Sequence, residues 1–196
     1  DVAPSRGLGD VYKRQDEAYA DRVLAQFGAG DILLLQNEIS ALPYILEKAH
    51  ARGMEIWLNP SPMNENVLKC NLSLVSVFVL NEVEGEQLTG TKIPTAILDK
   101  LLQKYPHAAA VLTLGSKGAW YAKEDKRAFA PAELVRAVDT TAAGDTFTGY
   151  FMRGMLDGLS PKKSLILAAK AAAIAVSRPG AAPSIPLYAE VMSERN

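Results

Sequence analysis

The chain has 196 residues, 48% of them hydrophobic and 22% charged, which is the composition of a globular domain large enough to bury a core. Lysine and arginine (21) nearly balance aspartate and glutamate (22), so no broad positive surface favours nucleic acid or an anionic membrane as a partner. The one cysteine, Cys70, cannot form an internal disulfide bond, and we find no signal peptide and no run of 18 apolar residues, so we expect a cytoplasmic protein.

The first 15 residues show neither helical nor strand periodicity, and their composition differs from that of the rest of the chain. We therefore expect residues 1–15 to be a non-native or loose tail. The fold is assigned to residues 16–196.

From Asp16 onward, amphipathic helical patterns alternate with short apolar runs. The periodicity predicts helices over residues 17–27, 40–51 (capped by Ser40), 65–70, 82–88 and 94–105, and strands over residues 31–36, 54–58, 75–80 and 109–114. This alternation is typical of the α/β class, with a layered parallel sheet and helices on both faces.

The second half of the chain continues the pattern with a hairpin in place of one helix. Its predicted elements are a hairpin that turns at residues 124–126, a short strand over 134–138, a helix through Phe147 and Phe151, and a last long helix from Ser160 to Val176. Serine as cap and proline at the first helical position favour that start, and Pro179 with Gly180 favours the stop.

Polar and small residues follow several of the predicted strands. In a parallel sheet, ligands bind outside the carboxyl ends of the strands. These residues should therefore line one crevice: Glu38, Asn59, Asn81, residues 113–118 and residues 139–145.

Residues 139–145 (Asp-Thr-Thr-Ala-Ala-Gly-Asp) join a predicted strand to a predicted helix. Two alanines and a glycine let another molecule approach the backbone, and the amides of residues 142–145 should be first-turn donors for an anion, phosphate above all. The carboxylate of Asp145 fits a general base that takes a proton from a hydroxyl as it attacks phosphorus. The alternative is an aspartate that caps a helix beside small residues that merely pack.

Two other strand ends carry groups suited to a nucleotide. Asn81 can donate to a phosphate oxygen, and Glu84 can hold Mg²⁺ through water, or the pair can simply start a helix. The loop 113–118, with two glycines, suits a backbone that lies along a nucleotide, with a plain hairpin connection as the alternative.

Glu38 and Asn59 can hydrogen-bond sugar hydroxyls, or they are solvated loop side chains. The turn 177–184 ends the last helix. Its carbonyls and Ser184 can coordinate a monovalent cation, with a plain helix stop as the alternative.

Four ordered motifs resemble those of the ribokinase-like (PfkB) carbohydrate kinases. Residues 139–149 (Asp-Thr-Thr-Ala-Ala-Gly-Asp-Thr-Phe-Thr-Gly) resemble the family's C-terminal signature. The others are Asn81-x-x-Glu84 followed by Leu88-Thr-Gly90, Thr113-Leu-Gly-x-x-Gly118, and Arg178-x-Gly180-Ala-x-Pro-Ser184. The similarity covers roughly residues 16–196.

The resemblance implies transfer of the γ-phosphoryl group of ATP to a sugar hydroxyl, with ribose as the expected sugar. It implies Asp145 as the base that meets the substrate, and the amides of Ala142, Ala143 and Gly144 as an anion hole. Nucleotide contacts would come from Asn81, Thr113, Gly115, Ser116, Lys117, Gly118 and Gly144, and a sugar contact from Glu38. Glu84 would serve Mg²⁺ through water, and a potassium ion would be held, mostly through carbonyls, by Asp139, Thr141, Ala175, Arg178, Gly180 and Ser184.

The family's N-terminal portion, with its first strands, a Gly-Gly-Lys-x-x-Asn sugar-binding motif and a lid, has no counterpart in this sequence. We therefore expect a C-terminal fragment that keeps the nucleotide side, leaves an apolar sheet edge unprotected and turns over weakly or not at all. The intact parent would bind ATP and a small sugar, and relatives often dimerise through the lid.

Two alternatives stay open. One is a non-catalytic module that binds nucleotide. The other keeps the chemistry and changes the acceptor to a nucleoside, a fructose phosphate or a keto-deoxy sugar, because fold and family do not choose among these.

Overall fold

A computed structural model of the chain describes residues 16–193. Within that range the strands are β1 (Ile32–Gln36), β2 (Glu55–Asn59), β3 (Val77–Asn81), β4 (Ala109–Thr113), β5 (Ala119–Lys123) and β6 (Lys126–Ala130). The helices there are α1 (Glu17–Leu24), α2 (Leu42–Ala51), α3 (Glu65–Leu68), α4 (Glu82–Thr89), α5 (Pro94–Lys104), α6 (Ala143–Leu156), α7 (Pro161–Val176) and α8 (Tyr188–Met192). The prediction for residues 1–15 lies outside the described residues.

The six strands form a mixed sheet whose order follows the chain, from β1 to β6. β1, β2 and β3 are parallel, with Ile32 opposite Glu55 and Trp57 opposite Val77. β5 and β6 are antiparallel because they are joined by the two-residue turn of a hairpin, which cannot connect parallel strands. The predicted α/β class is confirmed, with the hairpin making the sheet mixed.

The chain divides into two compact units, of which the first is residues 1–110. Its core forms because apolar residues recur three and four apart on its helices and run without interruption along its inner strand. α2 buries Leu42, Ile45, Leu46 and Ala49, while residues 77–80 of β3 are all buried. The strand ends of this unit carry Glu38, Asn59 and Asn81.

The second unit is residues 111–196. Its core contains α6 and α7, which pack closely because Gly154 has no side chain: a Cβ there would lie 2.7 Å from Ser164 Oγ. The rings of Phe147 and Phe151 stack on the buried face of α6 with their centroids 6.4 Å apart. This packing fixes the first turn of α6, where the candidate base is located.

Two sequence predictions of local structure are wrong. Residues 134–138 are not a strand: Leu134 is 95% exposed and Val138 is 61% exposed, and the amide of Val138 donates to Val176 O at 2.7 Å, at the end of α7. Ser40 is not the cap of α2, because that helix begins at Leu42 after Ala41, with Pro43 in its first turn and no side-chain cap.

None of the helices within residues 16–193 combines the length and the apolar character that crossing a bilayer requires.

Candidate active site

A cavity of about 340 Å³ opens in the second unit, at the start of α6. That volume falls in the range of small-ligand pockets. Its walls come from the loop after β4, the segment after β6, the first turns of α6 and one face of α7. The residues that line it are Thr113, Gly115, Ser116, Gly118, Ala132, Glu133, Val135, Ala137, Thr140, Ala143, Gly144, Phe147, Ala169, Ala172, Ala173 and Val176.

The turn that leads into α6 is the corner that the sequence predicts to bind an anion. Ala142 adopts the left-handed conformation (φ 62°), so the chain turns sharply into the helix. Within residues 16–193 the amides of Ala142 and Gly144 donate no hydrogen bond, and a Cβ on Gly144 would meet only open space. The amide of Ala143 donates to Thr140 O at 3.2 Å, so this predicted donor is already engaged. The corner therefore offers fewer bare amides than the sequence predicts.

Asp145 occupies the first turn of α6 with an exposed side chain, so the structure does not bury this carboxylate in the core. Phe147 is buried on the same helix, and within the helix the Thr148 hydroxyl donates to Gly144 O at 2.9 Å. The arrangement keeps the Asp145 backbone fixed and its side chain at the surface, as a group that meets a substrate must be.

Asp139 ties the start of this turn to the segment after α7. Its Oδ1 accepts from the Thr141 amide at 2.9 Å, and its Oδ2 accepts from the Gly180 amide at 2.9 Å. Hydrogen bonds from the side chain and then the amide of Thr141, together with that from Gly180, hold the pKa of Asp139 below its ordinary value of 3.8, since each stabilises the charged form. Asp139 is therefore an ionised link between two segments.

The other residues predicted to hold potassium lie around the same link. Arg178 donates its amide to Ala175 O at 3.1 Å, and its guanidinium contacts Glu190 Oε1 at 2.7 Å. Ser184 is fully buried, and its hydroxyl donates to Ala181 O at 2.7 Å. The groups predicted to coordinate the cation are a carboxylate, a hydroxyl and backbone carbonyls. All of them present hard oxygen ligands, which suit a monovalent cation. No group of three or more His, Cys, Asp or Glu side chains within residues 16–193 is placed to hold a metal ion.

The loop 113–118 lines the cavity with four of its residues and folds as a short 3₁₀ turn between β4 and β5. The amide of Leu114 donates to Gly118 O at 2.8 Å, which closes the loop. Gly118 (φ 115°) must lack a side chain, because a Cβ would overlap the carbonyl oxygen of Ala130. The segment after β6 therefore lies directly against this loop.

In the first unit, Asn81 and Glu84 form a capping box at the start of α4. Asn81 Oδ1 accepts from the amides of Val83 and Glu84 at 2.9 and 3.0 Å. Glu84 is 5% exposed, and its two oxygens accept from the Asn81 amide at 2.9 Å and from Asn81 Nδ2 at 3.0 Å. This supports the helix-start interpretation of the pair. Their predicted contacts with phosphate and Mg²⁺ stay predictions.

Glu38 is exposed after β1, and Asn59 ends β2, where its Oδ1 accepts from the Ser61 amide at 3.0 Å. Sequence reasoning missed Asn37, which connects the loops that carry these two residues. Asn37 is 6% exposed, its amide donates to Ser61 O at 3.1 Å, and its Nδ2 donates to Pro62 O at 2.5 Å. These hydrogen bonds fix the backbone where the chain leaves β1, directly before Glu38. The signal available in the sequence was an asparagine directly after an apolar strand.

Part of the predicted single crevice is supported in the second unit, where one cavity is lined by Thr113, Gly115, Ser116, Gly118, Thr140, Ala143 and Gly144. Asp139, Thr141, Ala142 and Asp145 are not among the residues that line it. Lys117 follows in the same loop and is exposed. The inclusion of Glu38, Asn59 and Asn81 stays a prediction.

The chain belongs to the pfkB family of carbohydrate kinases, because the model of that family matches residues 9–187. Individual relatives are consistent with the family. The chain is 36% identical to a ribokinase of Schizosaccharomyces pombe over 90% of its own length, and 32% identical to one of Haemophilus influenzae over 94%.

Solved structures agree with this assignment. A ribokinase of Thermotoga maritima is 32% identical and superposes on 82% of the chain with a TM-score of 0.70. A ribokinase of Arabidopsis thaliana, described as complexed with ribose and ATP, is 29% identical and superposes on 82% of the chain with a TM-score of 0.71. The chain spans only 58% and 60% of the two curated ribokinases, and 55% and 54% of the two structures.

Proposed function

We propose that the second unit binds the nucleotide of an ATP-dependent sugar kinase and supplies its general base. The observation that carries the proposal is the corner before α6, where Gly144, whose amide donates no hydrogen bond among the described residues, lines a cavity of about 340 Å³, with the unbonded amide of Ala142 two residues before it in the same turn. Amides at a helix start attract phosphate because they lie at the positive end of the helix dipole. Asp145 is exposed in the same turn, and in this proposal it takes the proton of the acceptor hydroxyl.

In the proposed reaction, the acceptor oxygen attacks the γ-phosphorus of ATP, the bond to the β-phosphate oxygen breaks, and ADP leaves. Asp145 takes the hydroxyl proton as the new bond forms. The amides of Ala142 and Gly144 stabilise the negative charge that develops on the transferred group, and they need no reorientation because Ala142 already holds the turn.

Ribose is the acceptor we propose, with Glu38 as a sugar contact. The names of the relatives support it, since several are ribokinases and the Arabidopsis structure is described as holding ribose and ATP. A nucleoside, a fructose phosphate or a keto-deoxy sugar would use the same chemistry, so the acceptor must be found by assay.

We propose Mg²⁺ with the nucleotide, reached from Glu84 through water, and K⁺ near Asp139, Thr141, Ala175, Arg178, Gly180 and Ser184. Mg²⁺ would neutralise phosphate charge, and K⁺ would hold the segment around the anion-binding turn. The role of K⁺ is compatible with the oxygen atoms described around Asp139.

We propose weak or no turnover by the 196 residues alone, because the ribokinases that they match are longer by roughly two fifths of their own length. Sugar binding and exclusion of water would then depend on the additional residues of a longer parent protein, and that parent would be the protein that dimerises.

The first test is binding of ADP to the 196-residue chain by isothermal titration calorimetry. Catalysis is tested in a chimera in which residues 16–193 replace the matching part of the S. pombe ribokinase. Asp145→Asn keeps the size of the side chain and removes the base, so we expect kcat to fall by about 10³-fold with the KM for ATP little changed.

The matched control is Asp125→Asn, in the exposed hairpin turn, which should leave kcat unchanged. A loss of less than tenfold in the Asp145 variant would show that another group is the base. Binding of ADP without any turnover by the unsubstituted chimera would favour the non-catalytic module instead.

A further inference from the structure

The wall of the cavity that α7 contributes has no polar side chain. Ala169, Ala172, Ala173 and Val176 recur three and four apart and so lie on one face of the helix. Small apolar groups such as these can pack against the flat face of a nucleobase. They cannot distinguish one base from another, because they neither donate nor accept hydrogen bonds.

Among the residues that line the cavity, one side chain carries a formal charge, namely Glu133. Glu133 is exposed, and within residues 16–193 it makes no hydrogen bond or ion pair. It lies on the segment that follows β6, which approaches the loop 113–118 so closely that a Cβ on Gly118 would lie 2.8 Å from the Pro131 Cα and 3.0 Å from the Ala132 amide nitrogen. That packing fixes the backbone of the segment just before Glu133.

We propose that Glu133 selects the base of the bound nucleotide by accepting a hydrogen bond from an exocyclic amino group. An ionised carboxylate only accepts hydrogen bonds, so it favours an amino edge and repels a carbonyl oxygen. Adenine presents an amino group at C6, and hypoxanthine presents a carbonyl oxygen at the same position. The cavity therefore prefers adenine to hypoxanthine nucleotides. This inference rests on the proposed nucleotide site and identifies the residue that recognises the base.

The test compares the affinities of ADP and IDP for the 196-residue chain by calorimetry. We expect ADP to bind about tenfold more tightly than IDP, as one charge-assisted hydrogen bond allows. Glu133→Ala should bring the two dissociation constants within about threefold of each other, because the acceptor is gone. Glu133→Gln should do the same, since its amide can donate to the carbonyl oxygen of hypoxanthine.

The matched control is Glu47→Ala, which removes an exposed glutamate of α2 in the first unit and should keep the preference for ADP. Circular dichroism verifies that each variant folds, and Glu133→Gln keeps the side-chain size in case the alanine variant is unstable. If both Glu133 variants keep the preference for ADP over IDP, the inference is overturned, while the proposed nucleotide site is unaffected. No binding of either nucleotide to the unsubstituted chain would overturn the proposed function, and the inference with it.

Discussion

Asp139 is the residue whose electrostatics can be tested without a substrate. Its two carboxylate oxygens accept from the amides of Thr141 and Gly180, so the ionised form joins the turn before α6 to the segment after α7. The pKa of Asp139 lies below its usual 3.8 in the folded protein, which means that folding favours the charged form. Its contribution to stability is present above pH 3.8 and is lost as the pH falls through the lower, folded pKa.

Asp139→Asn should therefore destabilise the protein at pH 7, because one of the two amides would face an NH₂ group instead of an oxygen. The difference in the free energy of unfolding between the two proteins should shrink as the pH falls through the folded pKa of Asp139, because the wild-type carboxyl then becomes neutral as well. Urea titrations at a series of pH values from 7 downward measure it, with the protonation of Asp139 followed by NMR in the same samples. A difference that stays constant while the carboxyl becomes protonated would mean that the charge of Asp139 does not matter.

The hydrogen bonds and contacts of individual residues were the part of the site that the sequence predicted least well. The motif around Asp145 predicted an anion-binding corner, yet the sequence could not show that the Ala143 amide bonds to Thr140 O. Asn37 and Glu133 escaped notice because neither belongs to a motif. Each gains its significance from neighbours distant in sequence, which only the folded backbone brings close.

At the scale of the elements, the spans of the main helices and strands followed from periodicity, since burial of one face imposes it. The strand predicted over residues 134–138 failed for a related reason. A short run of mostly apolar residues indicates a strand, but a strand also needs a partner for its backbone, and a sequence pattern does not reveal whether one exists. In the structure the amides of Val138 and Asp139 instead share one acceptor, Val176 O.

The contact between α6 and α7 depends on a single missing side chain. Gly154→Ala would place a Cβ 2.7 to 3.0 Å from atoms of the buried Ser164, so we expect a loss of about 2 kcal/mol in the free energy of unfolding from overpacking. Gly149→Ala is the matched control in the same helix, because a Cβ there meets nothing within 4 Å.

The control should stabilise the protein by about 0.5 to 1 kcal/mol, since alanine favours the helix over glycine. Urea denaturation measures the free energy of unfolding of the two variants, which we expect to change in opposite directions. Equal effects of the two substitutions would show that the close approach of the helices does not set the stability of this unit.

At the scale of the whole molecule, β1 is the terminal strand of the sheet that residues 16–193 form, and it is as apolar as the buried β3. Yet only Leu35 of β1 is buried, and Leu34 is 43% exposed. This exposure agrees with the unprotected apolar sheet edge expected from the sequence. An exposed apolar edge strand offers unpaired backbone groups beside a hydrophobic surface, which promotes aggregation.

Leu34→Lys should therefore lower the aggregation of the chain at high concentration by about twofold or more, because a charge on an edge strand opposes pairing with another strand. Ile166→Lys is the matched control: it exchanges an apolar residue of similar exposure (48%) for lysine on a helix, α7, instead of on a strand. Light scattering after concentration compares the two variants with the unsubstituted chain. If Ile166→Lys improves solubility as much as Leu34→Lys does, added charge is sufficient and the edge of β1 is not the cause. A specific benefit at Leu34 would identify this strand as the surface through which the chains aggregate.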